Sequence, residues 1–238
     1  NTFEIDISDI VNFDKENVIA VYVNTEEWEG WWYQGGGIYR DVHLEITELT
    51  AIDLWGVYAP YKKIDENAWR IDFETTVVNS DYEDSFVTAE SSVIDINNNR
   101  IAASIGQGII AQRENGIINY SAVVKNPLLW DCENPNLYTV KTVLKKDGKV
   151  IDENITRIGF RTVEISAEKG LLLNGRKTII KGVCAHQDFG LTGLAVPDNI
   201  ARYKVKLIKE MGANGYRTSH YQQTAAYMDA FDEMGFIE

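Results

Sequence analysis

Lys209-Glu210-Met211-Gly212-Ala213-Asn214-Gly215-Tyr216-Arg217-Thr218-Ser219-His220-Tyr221, with Asp232-Glu233-Met234-Gly235-Phe236 a short way on, is the stretch on which the reading of this chain turns. Its order is helix end, strand, polar cluster, next helix. Gly212 stands where a left-handed C-terminal cap is expected after an amphipathic run. Tyr216, Arg217, Thr218 and Ser219 form a short strand that carries Arg217 and His220 to its carboxyl end. In a β/α barrel that end is the face on which sites are built.

The flanking sequence extends the same grammar. Pro197 and Asp198 open a helix in which Ile200, Tyr203, Leu207, Ile208 and Met211 fall on one stripe, with Lys and Arg on the other. Met228, Phe231 and Met234 mark a second helix that closes at Gly235. A strand starts at Thr178 and runs through Lys181, Gly182, Val183 and Cys184, which read as buried, so a β/α unit repeats. Upstream of Arg161 the pattern is all strand. Residues 18–23 form a continuous apolar run of the kind buried on both faces, and Val42, Leu44 and Ile46 alternate with His43 and Glu45. Trp69, Ile71, Phe73, Thr75 and Val77 alternate again, and residues 117–124 and 137–144 follow. Asp147-Gly148 is a hairpin turn into a strand around Val150 and Ile151. Closely spaced strands with no helix between them describe an antiparallel sandwich.

Composition bounds the function. At 238 residues with 45% hydrophobic side chains, the chain can bury more than one core. A formal charge of -13 repels polyanions, which argues against nucleic acid and anionic bilayers as partners, and no basic run offsets it. No apolar run approaches the ~20 residues of a membrane span. Cys132 and Cys184 lie in different expected domains and are too few to frame a fold; they suit a reducing compartment or a bacterial secreted enzyme equally. The chain starts at Asn1 with no methionine or signal-like segment, so any targeting information is expected to have been removed.

The stretch quoted first resembles a signature of glycoside hydrolase family 2, the β-galactosidases, β-glucuronidases and β-mannosidases. Asn214, Tyr216, Arg217, Thr218, Ser219, His220 and Tyr221 match, with Asp232 and Gly235 in place downstream, and Gln222 stands where the family has Pro. Three further passages match in family order. Gly35, Gly36, Gly37, Ile38, Tyr39, Arg40, Asp41 and Val42 resemble the end of its jelly-roll domain. Asn126, Pro127, Leu128, Leu129 and Trp130, with Pro135, Leu137 and Tyr138, resemble the turn late in its immunoglobulin-like domain, and Gly159-Phe160-Arg161 the exit from it. Leu173-Asn174-Gly175 and the run from Lys181 to Asp188 resemble the lead-in hairpin and first strand of the catalytic barrel.

The resemblance implies a mainly β chain: an immunoglobulin-like β-sandwich over residues 50–163, preceded at 1–49 by the tail of a jelly-roll sugar-binding domain and followed at 164–238 by the first β/α units of a TIM barrel. It implies a fragment, truncated at both ends, of a retaining exo-β-glycosidase, most nearly a β-galactosidase, acting on carbohydrate. Such an enzyme uses two carboxylates about 5 Å apart, and the family draws both from later barrel strands, so no catalytic residue is expected before Glu238 and the fragment by itself is expected to be inactive. No cofactor is expected; a metal ion and a homo-oligomer of the parent are left open.

Four residues are expected to contact substrate: His186, Asp188, Arg217 and His220. Each has a plainer reading beside it. His186 could satisfy backbone groups in its loop, Asp188 could form a turn, Arg217 could be solvated, and His220 could cap the helix at Thr224. In the family the Arg217 position supports the nucleophile and His220 matches a substrate-site histidine. The cluster of Trp28, Trp31, Trp32 and Tyr33 invites sugar stacking, although core or interdomain packing is the commoner use. Glu26 with Glu27, and Asp65 with Glu66, read as solvated loop charges, and His43 as exposed. The competing class is a non-catalytic carbohydrate-binding or adhesin-like sandwich, which accounts for the strands but not for Arg217 and His220 at this spacing.

Overall fold

The computed structural model describes residues 3–24, 26 and 37–238. By contact it separates into residues 1–41 and residues 42–238. Within the first unit, residues 8–10 and 13–14 form turns, and Asn17 braces the second by accepting from the Asn12 N–H at 2.8 Å and donating to its carbonyl at 2.7 Å. Residues 18–23, expected as a buried strand, form none, and Val18 and Tyr22 are exposed. Val42, Leu44 and Ile46 likewise lie exposed outside any strand. An apolar run becomes a strand only where its backbone groups find a ladder partner, and among the described residues these two runs find none. The expectations for Trp28, Trp31, Trp32, Tyr33, Glu27, Gly35 and Gly36 fall outside the described residues.

The second unit opens with the sandwich. In its first sheet β3 (Ala68–Asn79) pairs along its length with β6 (Asn115–Lys125), and on its other edge with β1 (Thr50–Tyr58) and β2 (Tyr61–Asp65) in succession. The second sheet runs β5 (Arg100–Ile110), β4 (Ser85–Ile94), β7 (Tyr138–Lys146), β8 (Lys149–Ile158), all antiparallel. The period-2 pattern does what it predicts: Trp69, Ile71, Phe73, Thr75 and Val77 are all buried, facing Val87, Ala89 and Val93 of β4 and Val140 and Leu144 of β7. The buried Thr75 belongs to a chain of hydroxyls that crosses the core. Its Oγ1 lies 2.9 Å from the Tyr120 hydroxyl, which lies 2.7 Å from Ser91 Oγ, itself 2.7 Å from Thr142 Oγ1. Each polar group is satisfied by the next, so the core carries them without an orphan. Asp147 and Gly148, at φ 52° and 75°, make the expected hairpin turn between β7 and β8.

A small antiparallel sheet, β9 (Val163–Ser166), β10 (Gly170–Leu173) and β11 (Arg176–Lys177), leads out of the sandwich. Asn174 turns its hairpin at φ 51°, accepts from the Thr162 N–H at 2.9 Å and donates to the Trp130 carbonyl at 3.0 Å. Then come β12 (Gly182–Ala185), α1 (Asp198–Glu210), β13 (Gly215–Thr218) and α2 (Ala225–Met234), with β12 and β13 parallel and Ile237 bridging in parallel to Gly215. This is the start of a TIM barrel.

Two expectations about this region are corrected. Of the β12 residues, Gly182 and Cys184 are exposed and Val183 and Ala185 half-buried, none of them buried, because the strand has one neighbour, β13, among the described residues. On α1 the buried face is Ala201 and Val205, with Ile200 and Ile208 half-buried beside them, while Tyr203, Leu207 and Met211 are exposed. Small side chains seat the helix closely on the sheet, and the larger residues of the expected stripe are left outside.

The seam between sandwich and barrel start is packed and charged. Trp130 is 1% exposed and packs with Cys132 and Leu173; its indole N–H donates to the Asp232 carbonyl at 2.8 Å. Arg157 of β8 reaches Asp229 and Glu233 of α2, and Arg202 of α1 reaches the same two carboxylates. Burial works to raise the pKa of Glu233, but hydrogen bonds from Arg202 and Arg157 outweigh it and hold the carboxyl below its ordinary range. Gly235, at φ 71°, ends α2 in the left-handed cap its position predicts, against the Cys132 carbonyl.

Gly235→Ala and Gly148→Ala separate conformational strain from seam contact. Both sites have positive φ, but a Cβ at 148 meets nothing within 4 Å, whereas one at 235 comes 2.5 Å from the Cys132 oxygen. Gly148→Ala should lose about 1 kcal/mol and Gly235→Ala about 3 kcal/mol or more in urea denaturation. Equal losses would remove Gly235 from the seam's determinants.

Candidate functional site

Pairing of β12 with β13 sets the site. Cys184 lies opposite Arg217 and Ala185 opposite Thr218, and the Ser219 N–H continues the ladder to the Ala185 carbonyl at 3.1 Å. His186 and His220 therefore leave the two strands at the same end. Their rings stand edge to face with centroids 5.7 Å apart. Along β13 the side chains alternate, so burying Tyr216 against Tyr227 and Phe231 turns Arg217 to the opposite face, beside Cys184.

Asn214 fixes where β12 begins. Its side-chain oxygen accepts from the Lys181 N–H at 2.7 Å and its amide donates to the Ile179 carbonyl at 3.0 Å, standing in for a neighbouring strand's peptide. The loop after β12 is tied by Gln187, which is fully buried. Its Nε2 donates to the Leu194 carbonyl at 2.8 Å, its Oε1 accepts from the Thr224 N–H at 3.0 Å, and its carbonyl accepts from the Tyr227 hydroxyl at 3.0 Å. Lys204 of α1 supports the same loop, donating to the carbonyls of His186 at 2.7 Å and Asp188 at 3.2 Å. Burial lowers the Lys204 pKa, and the charge of Asp188 acts against that. The Tyr227 phenol is pushed up to about 12, first by burial and then by the Asp188 charge, so it serves as a neutral donor.

The structure thus brings His186 and His220 together, sets Arg217 in register below them, and places Asp188 two residues from His186 on the exposed loop. Asp188 enters the network through its carbonyl. Arg217 is exposed, and its guanidinium donates to Cys184 Sγ at 3.1 Å and to Ser219 Oγ at 3.5 Å. Thr224 is the N-cap residue of α2 by backbone, with no side-chain cap bond, and His220 takes no cap position. The departure at Gln222 leaves an exposed side chain in the turn before α2. Sequence reasoning missed Gln187 and Lys204. For Gln187 a signal existed, since it sits between two polar site residues directly after a strand; for Lys204, on a helix face rich in Lys and Arg, there was none. Among the described residues no group of three or more His, Cys, Asp or Glu side chains is arranged to hold a metal ion, and no helix is long and apolar enough to cross a membrane.

Fold and site define a class: a β-sandwich that hands its chain to the opening strands of a β/α barrel, with polar residues at their carboxyl ends. Sequence models of glycosyl hydrolases family 2 match residues 50–161, and of the TIM barrel domain of that family residues 163–237. The chain belongs to glycosyl hydrolases family 2. It is 36% identical over 237 residues to beta-galactosidase BoGH2A of Bacteroides ovatus, covering 99% of this chain and 28% of that protein. It is 30% identical to a beta-glucuronidase of Bacteroides fragilis, covering 99% of this chain and 35% of that protein. Among solved structures, a family 2 member from Bacteroides cellulosilyticus superposes with a TM-score of 0.82 at 32% identity, over 87% of this chain and 27% of that one. A beta-glucuronidase of Bacteroides uniformis gives 0.75 at 25% identity, over 80% and 24%. The chain spans about a third or less of the length of these relatives.

Gln187→Leu keeps the volume but strands the Thr224 N–H and the Leu194 carbonyl. It should lose about 2 to 4 kcal/mol in chemical denaturation, and protease should then cut within residues 188–194. Asp188→Asn should stay within about 0.5 kcal/mol of the unsubstituted chain. If Gln187→Leu proves as stable as Asp188→Asn, the loop is not held by that amide.

Proposed function

We propose that this chain is part of a retaining exo-β-glycosidase, β-galactosidase-like in preference, that hydrolyses terminal β-glycosides, and that it divides into a jelly-roll tail at 1–49, an immunoglobulin-like sandwich at 50–163 and a barrel start at 164–238. The observation that carries the proposal is the pair of imidazoles, His186 and His220, 5.7 Å apart at the carboxyl ends of two parallel strands, with Arg217 in register beneath. Imidazoles donate to and accept from sugar hydroxyls. A guanidinium at that strand end suits holding a carboxylate ionised and oriented. Asp188, exposed on the same loop as His186, would accept from a further hydroxyl.

The chemistry still requires two carboxylates about 5 Å apart, one as acid/base and one as nucleophile. The proposal draws both from barrel strands beyond Glu238, and assigns the described residues to substrate binding and orientation. The galactosidase preference rests on the 36% identity to a beta-galactosidase, against 30% for the beta-glucuronidase of B. fragilis. A non-catalytic sandwich leaves the parallel pair β12 and β13 and their polar ends without a purpose.

The test uses the full-length parent protein with nitrophenyl β-galactoside, β-glucuronide and β-mannoside. His220→Ala and Arg217→Ala should each cut turnover a hundredfold or more, about 3 kcal/mol for a preorganised donor, while the Tm moves little. His43→Ala should change neither. The 238-residue chain alone should show no turnover. Unfolding of His220→Ala, or turnover within a few fold of the original, would withdraw the site assignment.

A further inference from the structure

We propose that Cys184, held by Ser219, is a positioning residue that fixes the guanidinium of Arg217 at the barrel mouth. The inference rests on the glycosidase reading of Arg217 and goes one residue further inward. An arginine side chain has about 2 kcal/mol of rotamer freedom to lose, so one that must meet a charge in a set direction needs acceptors that hold its fork. A carboxylate is the usual choice. Among the described residues Arg217 forms no salt bridge, and one of its nitrogens, Nη1, donates to Cys184 Sγ at 3.1 Å and to Ser219 Oγ at 3.5 Å. Cys184 and Ser219 are themselves 2.6 Å apart, closing a triangle of thiol, hydroxyl and guanidinium.

The geometry follows from the ladder. Cys184 is the cross-strand partner of Arg217, so both side chains stand on the same face of the parallel pair. Ser219 is the residue after β13, is 2% exposed, and is anchored by its N–H to the Ala185 carbonyl. The hydrogen bonds with Ser219 first and Arg217 second hold the thiol's pKa below its ordinary value. Sulfur and hydroxyl hold the guanidinium through Nη1 from the strand side, so they would not compete with a carboxylate arriving from the mouth side.

Two measurements test it. In the 238-residue chain, site-resolved alkylation by iodoacetamide across pH reads the Cys184 thiolate directly, and buried Cys132 reports whether the fold is intact. Arg217→Met and Ser219→Ala should each move the Cys184 profile to higher pH and slow its labelling at pH 7 by threefold or more, with Cys132 still protected. In the full-length protein, Cys184→Ala should lower kcat by about tenfold or more with KM within twofold, as expected when a reacting group is misplaced while substrate affinity is kept. Cys184→Ser should recover most of that loss. An unchanged alkylation profile in both variants, or turnover of Cys184→Ala within twofold of the original, overturns the proposal. Should the unsubstituted full-length protein hydrolyse none of the nitrophenyl glycosides, the glycosidase reading fails separately, and the alkylation profile still decides whether Cys184 holds Arg217.

Discussion

Trp130 is the interaction on which the second unit depends. Its ring is buried at the junction of three pieces of chain that are far apart in sequence: the sandwich turn that carries it, the β10–β11 hairpin through Leu173 and Asn174, and the end of α2 through Asp232. The backbone is pinned as well, with the Trp130 N–H donating to the Phe160 carbonyl at 2.8 Å. Arg161 lies 4.6 Å over the ring, and a Cβ at position 159 would sit 3.0 Å from the Trp130 side chain, so Gly159 lets the chain pass beside it. Truncating a buried tryptophan costs about 3 to 5 kcal/mol. Here the loss would fall on the junction and not on either core, because the main sandwich cluster and the helix cluster do not include the ring. The charged lattice of Arg157, Arg202, Asp229 and Glu233 borders the same junction; partly exposed pairs of this kind contribute modestly, and its value lies in fixing the register of α1 and α2 against β8.

Once α2 is docked, the barrel strands follow. Tyr216, Tyr227, Phe231 and Phe236 form a run of ring contacts from 4.6 to 6.4 Å that fills the layer between β13 and the helices. Because side chains alternate on a strand, the apolar demand of that layer decides which residues face away from it. Tyr216 goes in, and Arg217 is sent to the other face with Cys184. The site geometry is thus a by-product of helix packing.

The parts of this fold that are legible in the sequence are those set locally. The β3 alternation, the Asp147-Gly148 turn, and Gly212 and Gly235 as helix ends each express a backbone or burial rule within a few residues. The apolar runs at 18–23 and at Val42, Leu44 and Ile46 look equally strand-like, yet pairing is a property of a partner strand and no periodicity contains it. The stripe read on α1 differs from its buried face because apolar size is a poor guide to fit: Ala201 and Val205 are weak apolar signals, but they let the helix approach where Tyr203 could not. Of the candidate site, the two histidines and Arg217 can be named from their place at strand ends, while the hydrogen bonds that hold their loops span from 7 to 40 residues of sequence and arise only in three dimensions.

Both mouth loops use the same arrangement of buried and presented groups. After β12, Gln187 is buried and commits its side chain to backbone groups, while its neighbours His186 and Asp188 are half-buried and exposed. After β13, Ser219 is buried against Cys184, and its neighbour His220 is exposed. In each loop one fixed polar residue aims those beside it, and Lys204 locks the first loop further by gripping two of its carbonyls. Anchoring and presentation are thereby divided between different side chains. Because the anchoring side chains satisfy the loop backbone, the placement of the residues beside them is set by the fold's own hydrogen bonds.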